Sequence, residues 1–167
     1  EVTLTEVVIT DANTASQLGK PCGTYLTLES ALLRERDPDV RIAAANLLGE
    51  ELARLIPPDD GAPVLVVGLG NRFVTPDSLG PSTIDRTLVT RHAVENGFSR
   101  AKMRSVAAIA PGVLGITGVE TVEMVESLVK KLSPRLVICI DALAARASSR
   151  IGAAIQLTDA GIQPGGG

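Results

Sequence analysis

The sequence predicts an α/β fold: a mostly parallel twisted sheet flanked by helices on both faces, with an N-terminal strand pair. Three observations lead there. Short, fully apolar runs at residues 64–67, 106–109 and 136–140 alternate with stretches whose apolar residues recur at helical spacing. Runs without polar alternation mark strands covered on both sides, which is the habit of parallel sheets between helices. Finally, 167 residues with 45% hydrophobic and 21% charged side chains form an ordinary globular chain of about one domain's length.

The elements follow in order. Residues 1–9 and 24–28 carry β-branched and apolar residues at short range and read as two strands, antiparallel or at an edge, joined by residues 11–23. Residues 37–56 read as an amphipathic helix. Asp37 can cap it, Pro38 suits its first turn, and Val40, Ala44, Leu47, Leu48, Leu52, Leu55 and Ile56 share one face before Pro57-Pro58 ends it. The strand at 64–67 is followed by a helix over 80–95 with Ile84, Leu88 and His92 on its stripe, then by the strand at 106–109. A helix over 121–132 through Val122, Val125, Leu128, Val129 and Leu132 leads to the strand at 136–140. Residues 142–149 read as a helix and 154–157 as a further strand. The whole is expected to form a single domain over 1–167. The start at Glu1 without methionine and the loop-like Gln163-Pro164-Gly165-Gly166-Gly167 suggest a piece of a longer protein, truncated at both ends.

Composition removes several function classes. Tyr25, Phe73 and Phe98 are the only aromatics, too few for a base-stacking platform, and a net charge of -3 leaves no basic stripe to follow a phosphate backbone. Direct nucleic-acid binding is therefore not expected. No run approaches the roughly 20 apolar residues of a membrane span, and the sequence shows no basic-then-apolar signal-peptide pattern, so no membrane partner is expected. Cys22 and Cys139 are too few for a disulfide framework and point to a reducing cytoplasm.

In open α/β sheets ligands bind beyond the carboxyl ends of the strands, so the residues after each apolar run are the candidates. Gly68-Leu69-Gly70-Asn71 follows the first run, but Phe73 stands where a dinucleotide loop needs its third glycine, and no Walker or serine-elbow motif is present. The segment reads either as a tight turn or as an anion cradle. Asp141 follows the run at 136–140 at the mouth of a buried strand, and Asp77 precedes Gly80-Pro81. Each suits a helix cap. Each also suits catalysis: on parallel strands of one sheet both carboxylates emerge at the same edge, and two neighbouring carboxyl groups share a proton in the way acid–base hydrolysis requires. His92, the only histidine, reads as a partly buried structural residue and cannot make a His-rich zinc site. Residues 111–118 form a glycine-rich loop at a third strand end and read as cleft wall or connector. Leu157-Thr158-Asp159-Ala160-Gly161 is only superficially like a pepsin-type motif.

Several strings together are specific. Val66-Val67-Gly68-Leu69-Gly70-Asn71, Val74-Thr75-Pro76-Asp77-Ser78-Leu79-Gly80-Pro81, Thr90-Arg91-His92, Pro111-Gly112-Val113-Leu114-Gly115-Ile116-Thr117-Gly118-Val119-Glu120-Thr121 and Ile140-Asp141-Ala142-Leu143-Ala144-Ala145-Arg146 resemble the germination protease (spore endopeptidase) family of spore-forming bacteria. The likeness extends to Thr27-Leu28-Glu29-Ser30, Ile155-Gln156 and Gly161-Ile162 and covers nearly the whole chain in order.

The resemblance implies an atypical aspartic endopeptidase that degrades small acid-soluble spore proteins at germination. It implies a zymogen and a homotetramer in the spore core or forespore cytoplasm, with two aspartates that match Asp77 and Asp141 and no metal or cofactor. It also implies a fold like that of the hydrogenase maturation proteases, whose nickel-dependent chemistry is a rival reading, as is a non-catalytic nucleotide- or anion-binding module. Where the family reads Asp-Thr-Gly-Ile-His-Pro-Gly-Ser-Gly, this chain has Asp159-Ala160-Gly161-Ile162-Gln163-Pro164-Gly165-Gly166-Gly167, so two hydroxyls and an imidazole are lost there.

Overall fold

A computed structural model describes residues 1–98, 103–145 and 150–162. Its elements fall into two compact units, one comprising residues 1–56, 144–145 and 150–162, the other residues 57–98 and 103–143.

The first unit is built on an antiparallel sheet of order β1-β2-β6. β1 (Thr3–Ile9) pairs with β2 (Gly23–Glu29), and β2 in turn pairs with β6 (Ala154–Thr158). The N-terminal strand pair is thus present. The last strand joins that pair rather than the parallel sheet. Leu26 and Leu28, two residues apart and so on one face of the central strand, are fully buried. The connection between β1 and β2 holds a helix that the sequence reading leaves out, α1 (Ala12–Leu18). Asp11 caps it by accepting from the Thr14 N–H at 2.9 Å, and Gly19 ends it in the left-handed region. The short α2 (Ala31–Arg34) precedes α3 (Pro38–Leu55), which starts as predicted with Asp37 accepting from the Val40 N–H at 2.9 Å. Val40 and Ala44 are its buried residues, and Leu47, Leu48, Leu52 and Leu55 are half-buried along the same face.

The second unit holds the parallel sheet, order β4-β3-β5, from β3 (Val64–Gly68), β4 (Val106–Ile109) and β5 (Leu136–Ile140). All five residues of β3 are buried, as expected of a central strand. Leu65, Val67 and Leu69 face one way and pack with Val125, Leu128, Val129 and Leu132 of α7 (Thr121–Leu132). Val122, at the start of the predicted stripe, stays exposed. Gly68 faces the other way, toward Gly80 and Ile84 of α4 (Leu79–Ile84), so helices cover both faces of the sheet.

Two helix predictions need correction. Residues 80–95 are not one helix but α4 and α5 (Arg91–Glu95), parted by non-helical chain. The cause is Thr90. Its N–H donates to the Val106 carbonyl at 3.0 Å, its hydroxyl donates to the Arg104 carbonyl at 2.5 Å, and it accepts from the Val106 N–H at 2.9 Å. Stitched to the start of β4, the Thr90 N–H is not available to a helix continuing from α4, while its carbonyl accepts from the Ala93 and Val94 N–H groups and opens α5. His92, on α5, is exposed rather than partly buried. Of the predicted helix at 142–149, residues 142–145 are not helical and 146–149 lie outside the described residues.

Candidate functional site

The carboxyl edge of the parallel sheet gathers the candidate residues. β3 and β5 are neighbours, with Gly68 opposite Ile140, and the Leu69 N–H donates to the Ile140 carbonyl at 2.8 Å just beyond the paired strands. Asp141 therefore leaves β5 beside the point where the glycine loop leaves β3. That loop turns through Gly70 at φ +107 and reaches the 3-10 turn η1 (Thr75–Asp77), which hands over to α4.

Gly80 is what brings the second carboxylate to this edge. A methyl group at Gly80 would lie 2.2 Å from the Leu69 oxygen, 2.5 Å from the Leu69 nitrogen and 2.6 Å from the Ile140 oxygen. Only a residue without Cβ lets the helix start approach both strand ends so closely. Asp77, three residues earlier, lies against the loop that leaves β3, with its carboxylate beside Gly70 and Asn71, and both aspartates are half-buried.

Neither side chain caps a helix. The Asp77 Oδ2 accepts from the Asn71 N–H at 2.7 Å, back in the preceding loop, and Asp141 Oδ1 accepts from the Ala142 N–H at 2.8 Å, where residues 142–145 are not helical. The structural alternative that the sequence offers for both residues is thus not the one realised. Cys139, two residues before Asp141, has its thiol pushed above the ordinary range, first by partial burial and second by the Asp141 carboxylate.

The loop is a poor anion cradle. Its Asn71 N–H is bonded to Asp77, its Phe73 N–H donates to Asn71 Oδ1 at 2.9 Å, and a carboxylate already sits within it. Phe73, in the place of the third dinucleotide glycine, is 82% exposed. Arg72 forms an ion pair with Asp85 through two hydrogen bonds, tying the loop to the end of α4.

Beside the loop, a cleft of about 170 Å³ is lined by Gly70, Phe73 and Pro81 on one side and by Pro111, Ile116 and Thr117 on the other. Of residues 111–118, Pro111, Gly112, Ile116 and Thr117 form cleft wall, the last two on α6 (Leu114–Thr117). Among the described residues no three His, Cys, Asp or Glu side chains gather to hold a metal ion, and no helix is long and apolar enough to cross a membrane. Asp159 serves the first unit instead: its Oδ1 accepts from the Thr24 N–H at 2.7 Å and fixes the start of β2. Residues 163–167 of that motif lie outside the described residues.

A family profile described as germination protease matches residues 1–167. The chain belongs to the germination protease family. It is 45% identical to the germination protease of Priestia megaterium over 99% of this chain and 46% of that protein. With that of Caldanaerobacter subterraneus it shares 44% over 99% of this chain and 52% of the relative. For Clostridium perfringens the figures are 41%, 100% and 52%. The chain spans about half the length of these germination proteases. Sequence reasoning named both candidate aspartates but passed over Asn71 and the wedge at Gly80. The signals were a Gly-Asn pair six residues before the aspartate and a glycine inside a helix start, neither of which points to a partner without the fold.

Proposed function

We propose that this chain carries the catalytic aspartates of an atypical aspartic endopeptidase that degrades small acid-soluble spore proteins during germination. The observation that carries this reading is the Gly80 wedge: it packs the start of α4, three residues after Asp77, against the strand end from which Asp141 departs. Family membership supplies the reaction class. In the proposed mechanism one carboxylate takes a proton from the attacking water while the other, protonated, donates to the substrate carbonyl; the first then passes the water's proton to the leaving nitrogen, and the second recovers a proton from the collapsing diol. Sequence resemblance further supports a zymogen that works as a homotetramer in the spore core.

The test is replacement of each carboxylate by its amide in the natural protein that carries this sequence. Asp77→Asn and Asp141→Asn should each lower turnover of a small acid-soluble spore protein by at least about a hundredfold, the usual weight of a positioned acid or base, with melting unchanged. Near-parental turnover in either variant removes that residue from the mechanism.

A further inference from the structure

Asn71 spends three separate groups on the loop that holds Asp77. Its N–H donates to Asp77 Oδ2 at 2.7 Å, its carbonyl accepts from the Val74 N–H at 3.2 Å, and its side-chain Oδ1 accepts from the Phe73 N–H at 2.9 Å. The last of these is an Asx turn, in which a side-chain oxygen stands in for a backbone acceptor and fixes the direction of the next residues. Val74 then accepts through its own carbonyl from the Asp77 N–H at 2.8 Å, so the chain of bonds runs from Asn71 round to Asp77 and closes on the carboxylate. Gly70 completes the fit from the other side. At φ +107 it adopts a conformation that a side chain resists, and a methyl there would lie 2.1 Å from the Asp77 carbonyl oxygen and 2.8 Å from its Oδ1.

We infer that Asn71 is a positioning residue for the hydrolytic reaction: its side-chain oxygen sets the turn that aims the backbone N–H at Asp77 Oδ2 and so fixes which carboxylate oxygen faces the substrate. The inference rests on the proposal that Asp77 is catalytic. Nothing about it is needed for the fold, because the Phe73 N–H that would lose its partner belongs to an exposed residue, and water can replace the lost bond. Orientation, in contrast, has no such substitute, since a misplacement on the order of 1 Å at a reacting group can cost a hundredfold in rate.

The experiment compares Asn71→Ala, Asn71→Ser and Asp77→Asn in the natural protein, with a small acid-soluble spore protein as substrate and thermal melting beside the kinetics. Asn71→Ala is expected to lower kcat by about ten- to a hundredfold with KM within roughly threefold and melting near parental. Asn71→Ser, whose hydroxyl can re-form the turn, is expected to recover kcat to within about threefold. Parental kcat in Asn71→Ala together with an inactive Asp77→Asn overturns the positioning role alone, whereas an active Asp77→Asn overturns the underlying assignment of Asp77. Failure of Asn71→Ser to recover kcat, or a collapse of melting in Asn71→Ala, assigns the residue to structure and also overturns the inference.

Discussion

Gly80→Ala puts the packing of the candidate site under direct strain. The added methyl would sit 2.2–2.6 Å from the Leu69 nitrogen, the Leu69 oxygen and the Ile140 oxygen, where ordinary contact needs about 3.4 Å or more. These are backbone atoms at the ends of buried strands, so the helix start must withdraw by on the order of 1 Å. Overpacking of this kind costs about 1–3 kcal/mol, and disturbing the 2.8 Å bond between the Leu69 N–H and the Ile140 carbonyl adds about 1–2 kcal/mol because these groups have no water to turn to. The sum, roughly 2–5 kcal/mol, is a large part of a typical domain's 5–15 kcal/mol and should lower Tm by about 5–15 °C. Differential scanning calorimetry of the purified protein measures it. Gly49→Ala is the control, since Gly49 lies in α3 with no atom within 4 Å of its would-be methyl, and there the exchange should stabilise by about 0.5–1 kcal/mol. A Gly80→Ala protein that melts within about 2 °C of the parent would refute the wedge, and with it the reason for Asp77 and Asp141 sharing an edge.

Two further outcomes follow from charge. Asp85 is held below its ordinary value of 3.8, first by the hydrogen bond from Arg72, so its contribution to stability is present above 3.8 and is lost as pH falls through the lower folded value. Urea midpoints of the parent and Asp85→Asn should therefore differ at pH 7 and converge as pH drops below 3.8, and a constant difference would contradict the pairing. In a Cys22→Ser background, Cys139 should alkylate more slowly at pH 8 than an unstructured cysteine peptide. Asp141→Asn should speed it, because the Asp141 charge is the second cause of the raised thiol value. An alkylation rate that Asp141→Asn leaves unchanged would argue that the carboxylate does not face the strand end as described.

The parallel sheet was legible because its strands lie between helices. A strand buried on both faces has no polar alternation, so 64–67 in the fully buried β3 stands out as an uninterrupted apolar run; 106–109 and 136–140 read the same way although β4 and β5 are only half-buried, and α3 and α7 show the complementary single stripe. The misreading of 80–95 has an equally specific cause. Ile84, Leu88 and His92 repeat every four residues as a helix stripe should, yet Leu88 is 73% exposed and His92 is exposed too. The residue that organises this segment is Thr90, buried between them and bonded to Arg104 and Val106. Hydrophobic periodicity cannot register a polar residue whose partners lie 14 and 16 positions away. The fold decides there, and local pattern does not.

The same division holds at the candidate site. The strand-end rule finds Asp77 and Asp141 because it needs only the order of elements. It cannot find what fixes them, since that depends on close approach between segments distant in sequence. Gly80 against Ile140 spans sixty residues, and nothing around Gly80 in the sequence marks it as the meeting point of two strand ends. Gly68, Gly70 and Gly80 look alike in the sequence as punctuation, yet each excludes a side chain for a different neighbour: the Gly80 carbonyl, the Asp77 carbonyl and carboxylate, and the Leu69–Ile140 pair. Together they form one chain of contacts from β3 through the loop to α4 and back to β5. A substitution at any of the three should therefore shift the carboxylates together with the helix, whereas Asn71, which closes only the loop, should move Asp77 alone.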